Sequence, residues 1–122
     1  MKNNSNITSI FALGGLGEVG KNMYVIAHNE EIIIIDAGVM FPEDDLLGVD
    51  YVIQDITYLK QNENKIKGLF ITHGHLENMG GTSDLISQIP NLKVYATKFT
   101  KYVLMENGVS ANNIVEIKAY KK

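Results

Sequence analysis

The sequence contains no cysteine and only two prolines in 122 residues. Without cysteine there are no disulfides, no thiolate zinc sites and no cysteine nucleophile. That is in keeping with a cytoplasmic protein. Long apolar runs are missing too. The strongest, "IIIID", is far too short to cross a membrane. The opening "MKNNSNITSIFALGG" has one lysine and no apolar stretch of useful length, so it does not read as a secretory signal. With 14 acidic and 11 basic residues the net charge is −3, which provides no general attraction to nucleic acid, although a local basic groove remains compatible with it.

What is present is the composition of one small globular domain. The hydrophobic fraction is 45%, and there is no repeat, low-complexity tract or linker. "SIFALGG" reads as a strand ending at glycines. Met23–His28 and Ile32–Asp36 read as two strands joined by a hairpin near Asn29 and Glu30. The four isoleucines suggest a strand buried on both faces. "VMFPEDDLLGVD" reads as a loop. Val52, Ile53, Ile56 and Leu59 recur at helical spacing, which predicts a helix from Tyr51 to about Leu59 with Asp50 as its cap. Further along come a strand in "IKGLFIT" and a helix in "GTSDLISQI", capped by Thr82 or Ser83 and stopped by Pro90. A strand in "LKVYA", a helix in "TKFTKYVLMENG" closed by Gly108 and a last strand in "NIVEIKA" complete the chain. A meander of strands followed by strand–helix alternation predicts an α/β fold, a mixed sheet with helices packed against it. The end at "IKAYKK", directly after a strand, suggests the first piece of a longer protein.

Three features are weak as sites. Gly15-x-Gly17-x-x-Gly20 matches the dinucleotide-binding spacing, but "KNMYVIAHN" follows as a strand rather than a helix, so no helix N-terminus is available for a pyrophosphate. The preferred reading is a turn between strands, with no nucleotide cofactor. His28 reads as a solvated residue at the hairpin. The acidic run Glu43–Asp45 reads as a solvated loop.

The chemistry concentrates in "ITHGHLENMGG", residues 71–81. Positions i and i+2 of an extended segment face the same side, so His73 and His75 can offer two imidazoles to one ion. Zinc needs three or four protein ligands, so Glu77, water or distant residues must complete a site. The plainer alternative is a polar loop capping the sheet.

This loop resembles the H-x-H-x-D-H signature of the metallo-β-lactamase superfamily. "ALGGLGEVGKNMYVI", "IIIIDAGVMFPEDDLLGVDYVIQDITYL" and "VYATKFT" resemble the opening of the bacterial ribonuclease J family, in the β-CASP branch. The resemblance implies a metallo-β-lactamase αββα sandwich, of which residues 1–122 would be the first part. The rest of that domain, the β-CASP domain and a C-terminal domain would lie outside this chain. It also implies divalent metal, zinc or manganese, and RNA as substrate for 5′–3′ or internal cleavage. His73 and His75 match the two histidines of the first metal, and Asp36 in "DAG" matches an aspartate that supports the metal loop. Where the family has aspartate and histidine for the second metal, this chain has Glu77 and Asn78. Glutamate keeps a carboxylate but moves it outward, and asparagine offers a neutral carbonyl that suits a transition metal poorly. The second site is therefore expected to be impaired, as in the weaker of two ribonuclease J paralogues. The expected partners are RNA and an active paralogue, a second copy of the chain, or both, with no membrane. A chain without any metal, acting as a structural or RNA-binding subunit, is the alternative.

Overall fold

The computed structural model describes residues 6–15, 20–39 and 55–119. They form one six-stranded sheet in sequence order: β1 (Thr8–Gly14), β2 (Met23–His28), β3 (Glu31–Ile35), β4 (Ile66–Phe70), β5 (Val94–Ala96) and β6 (Ile114–Glu116). The first three strands pair antiparallel, and β3 to β6 pair parallel. Among the described residues four α-helices lie between the strands: α1 (Thr57–Gln61), α2 (Leu76–Met79), α3 (Thr82–Gln88) and α4 (Lys98–Glu106). The change from meander to parallel crossovers follows from the connections. The β2–β3 link is a turn at Asn29 and Glu30, short enough only for an antiparallel hairpin, with Asn29 in the left-handed region at φ 53°. Each later strand is reached through a helix, as a parallel pairing requires.

The register aligns one apolar row across the sheet. Phe11 faces Val25, Val25 faces Ile34, Ile34 faces Leu69, Leu69 faces Val94 and Val94 faces Ile114. Val25, Ile34, Leu69 and Val94 are each fully buried. Leu59, Met79, Leu85 and Leu104, one from each helix, join the same core. The opposite face is covered less. Ile33, Ile35 and Phe70 are half-buried, and Tyr95 stacks on Phe70 with ring centroids 4.7 Å apart. The expectation that the isoleucine strand is buried on both faces is corrected accordingly: Ile32 and Ile34 are enclosed, while their neighbours on the other face are not.

Two helix boundaries also differ from the spacing. The helix expected from Tyr51 begins at Thr57, and Asp55 and Ile56 are not helical, while residues 50–54 lie outside the described residues. The reason is local. The Asp55 carboxylate accepts from the Thr57 amide at 2.9 Å and from the Thr57 hydroxyl at 2.6 Å, a turn that competes with helix. The hydroxyl bond first, and the amide bond second, hold the Asp55 carboxyl below its ordinary range. Neither Thr82 nor Ser83 caps α3. Gly81 stands at its start, and the Thr82 hydroxyl instead donates to the Met79 carbonyl at 2.6 Å. Gly108 closes α4 at φ 88°, as the spacing predicts. The acidic run Glu43–Asp45 falls outside the described residues.

Leu69→Ala in the central row is expected to destabilise the fold by about 2–5 kcal/mol in urea denaturation. Ile10→Ala, on a residue 70% exposed in β1, should stay within about 0.5 kcal/mol of the unsubstituted protein.

Candidate metal centre

Parallel strands bring their carboxyl ends to one edge of the sheet, and the candidate residues collect there. Asp36 follows β3, and Thr72, His73 and His75 follow β4. The two segments are tied first by backbone, the Asp36 amide donating to the Phe70 carbonyl at 2.9 Å. Asp36 then turns into the left-handed region at φ 66°, which aspartate tolerates better than most residues.

The Asp36 side chain is buried and surrounded by donors. Its Oδ1 accepts from the Thr72 amide at 2.7 Å. The Thr72 hydroxyl donates to both carboxylate oxygens, at 3.0 and 2.9 Å. Its Oδ2 also accepts from the Asn78 side-chain Nδ2 at 2.8 Å. A carboxylate removed from water is costly unless its lone pairs are satisfied, and here three groups do so.

The same bonds orient His73. Thr72 Oγ1 lies 2.9 Å from His73 Nδ1. The threonine hydroxyl has one proton, and the Asp36 carboxylate takes it. In the neutral ring Nδ1 then carries the proton shared with Thr72, which leaves Nε2 with a free lone pair. This is how a carboxylate, acting through an intermediary, selects the tautomer of a metal-binding imidazole. His75 lies beside it, the two rings meeting edge to face with centroids 4.6 Å apart, and both histidines are exposed.

The remainder of the loop is held by backbone. His75 stands at the start of the one-turn helix α2, a helix the spacing did not predict. The Ala37 amide donates to the Asn78 carbonyl at 2.8 Å, the Val39 amide to the Leu76 carbonyl at 3.1 Å, and the Gly81 amide to the Ala37 carbonyl at 2.7 Å. The Asn22 amide donates to the Glu77 carbonyl at 3.1 Å. Gly38 runs so close beneath α2 that a Cβ there would overlap the Glu77 carbonyl. Residues 36–39 thus act as a short strut under the signature loop.

Two of the residues singled out in the sequence meet as a pair of imidazoles, His73 and His75, and two others, Asp36 and Asn78, meet each other. Asn78 is buried against Asp36 instead of standing beside the histidines as a ligand. Glu77 is half-buried, and among the described residues no three histidine, aspartate or glutamate side chains converge to hold an ion. Sequence reasoning missed Thr72, the residue that links Asp36 to His73; its only signal was a hydroxyl adjoining the first histidine. His28 is exposed at the end of β2, with Nδ1 2.8 Å from Thr8 Oγ1, and belongs to no such group. Gly15 and Gly20 take positive φ, and the strand β2, not a helix, follows them, while Gly17 lies outside the described residues.

A family profile described as the metallo-beta-lactamase superfamily matches residues 16–113. Among curated proteins, the chain is 54% identical over 91 residues to ribonuclease J 1 of Streptococcus pyogenes, covering 75% of this chain and 16% of that protein. It is 47% identical over 105 residues to ribonuclease J2 of Bacillus subtilis, covering 86% of this chain and 19% of the relative. With ribonuclease J 2 of Staphylococcus aureus it shares 42% over 119 residues, 98% of this chain and 21% of the relative. The chain spans about a fifth of the length of these relatives.

Nitrogen-15 NMR of neutral His73 is expected to show the proton on Nδ1, and Thr72→Val should abolish that preference while leaving His75 unchanged. An Nε2–H form of His73 in the unsubstituted protein would refute the Asp36–Thr72–His73 linkage.

Proposed function

Because this chain belongs to the metallo-beta-lactamase superfamily and, within it, to the ribonuclease J family, we propose that it takes part in RNA processing and decay as a weakly active, metal-dependent ribonuclease that works in a complex with an active paralogue. Its mixed sheet flanked by helices matches the first part of the αββα sandwich. The remaining ligands and the RNA-binding β-CASP domain would come from sequence that the longer relatives carry beyond the matched span. Cleavage would run from the 5′ end or internally, in the cytoplasm.

The observation that carries this reading is the state of Asn78. At the position where the signature has its last histidine, the side chain is buried and bonded to Asp36 through Nδ2. The residues present suit half of a two-metal centre. His73, with Nε2 free, and His75 would hold one divalent ion, zinc or manganese, with Glu77 a weaker contributor. The other half, with asparagine in place of imidazole, does not suit a second ion. A bound ion supplies Lewis-acid polarisation and lowers the pKa of water. The chain's own contribution is to fix the imidazoles: Asp36 holds Thr72, and Thr72 holds the His73 proton away from the face that meets the ion.

A second reading has an observation of its own. With Asn78 bonded to Asp36, the loop keeps only two histidine donors, and a chain that holds no ion would act as an inert structural or RNA-binding subunit. Restoring the signature separates the two. Glu77→Asp combined with Asn78→His in the full-length protein is expected to raise RNA cleavage by orders of magnitude, since coordination to a metal lowers the pKa of water to about 7. Unchanged cleavage by the double variant, folded and with metal supplied, would support the inert subunit instead.

A further inference from the structure

Helix α4 departs from the usual rules of helix design in two ways at once. Its first turn contains Lys98 with Lys101 directly following and no acidic residue, the sign that the helix dipole disfavours at an N-terminus. Over the same two turns it leaves Phe99 74% and Tyr102 62% exposed, while burying only Thr100 and Leu104. Neither lysine has an acidic partner among the described residues. Large aromatics left in water beside unpaired cations stabilise nothing within the described fold, and such local conflicts mark function.

The position of the helix gives this face a purpose. α4 starts directly after β5, at the sheet edge where Asp36, His73 and His75 also lie. Its Val103 packs on the signature loop: a Cβ on Gly74, between the two histidines, would sit 3.3 Å from Val103 Cγ2. Phe99 is four residues before Val103 and therefore on the same stripe of the helix, about one 5.4 Å turn away. Tyr102 lies three residues from Phe99 on the adjoining stripe, Lys98 is one turn before Tyr102 on that stripe, and Lys101 lies beyond Lys98 on the side away from Phe99.

We propose that the first two turns of α4 are a platform for single-stranded RNA, on which Phe99 and Tyr102 stack successive bases while Lys98 and Lys101 take the adjoining phosphates, guiding the strand past His73 and His75. Interleaved aromatics and cations are the means by which proteins hold a single strand without reading its sequence, because every base has a π-face and every linkage a charge. A covering protein surface would fit less well. It would have to bury both rings and also desolvate or pair both lysines, whereas one polyanion with flat bases meets both needs. The platform rests on the proposed role in RNA processing and extends it to a contact outside the metal centre.

The test is fluorescence anisotropy of a short oligoadenylate RNA with the full-length protein in EDTA, so that binding is read without cleavage. Phe99→Ala and Tyr102→Ala should each weaken binding by about tenfold, the scale of one lost base–aromatic stack. Tyr102→Phe, which keeps the ring, should bind as the unsubstituted protein does. Lys98→Gln with Lys101→Gln should reduce the slope of log affinity against log salt by about 1.4, at about 0.7 for each phosphate on a single strand. Lys67→Gln with Lys93→Gln, at the amino ends of β4 and β5, should change affinity little. Ring and lysine variants that bind with unchanged affinity and salt slope, while the unsubstituted protein binds RNA, would overturn the platform and leave the RNA-processing role intact. A changed oligomeric state in the ring variants with RNA affinity unchanged would overturn it in favour of a protein partner. No RNA binding by the unsubstituted protein would overturn the platform and the proposed function together.

Discussion

The Asp36 carboxylate is the fixed point of this structure. Buried as a carboxylate, it is tolerable in the core only if donors surround it, and its donors come from the segment after β4 that must meet the end of β3 for a site to exist. The Thr72 amide and hydroxyl bring the end of β4 to the end of β3. The Asn78 amide brings in α2. Backbone bonds from Ala37, Val39 and Gly81 then close the loop. Through Thr72 the same carboxylate sets which nitrogen of His73 is free. Structural and chemical demands on Asp36 are therefore met by one set of contacts.

This arrangement shows how the loop is held with an asparagine at position 78. An asparagine at position 78 cannot serve a transition metal well, but its amide is a good donor to a buried carboxylate. His73 is supported from within the loop through Thr72, and Asn78 is itself part of the support. Under the proposed function, the chain would offer one ion's worth of histidine donors, and contacts away from the histidines, such as the exposed face of α4, would be a larger share of what it contributes to binding RNA.

Much of the architecture was legible in the sequence because local rules agree with the fold there. The hairpin at Asn29 and Glu30, the strands around it, the stop at Gly108 and the strand after the glycine loop all follow from turn chemistry and period. The misses occur where a side chain competes with its own backbone. Asp55 captures Thr57 and delays α1, and Thr82 bonds back to Met79 instead of capping α3. The isoleucine run misled because hydrophobicity alone does not say how much cover each face of a sheet receives. At the site, the histidines and Asp36 were readable from their words. Thr72 and the inward turn of Asn78 were not, because a contact between residues 36 apart, or 42 apart, leaves no local periodicity.

The central claim is that the side chain at position 78 serves Asp36 and not a second metal ion. Metal stoichiometry of the purified full-length protein, with the ions located by anomalous diffraction, tests it most directly. The account predicts no more than one tightly held ion per chain, on His73 and His75, with Asn78 Nδ2 still on Asp36. Two tightly held ions, one of them ligated by Asn78, would contradict it.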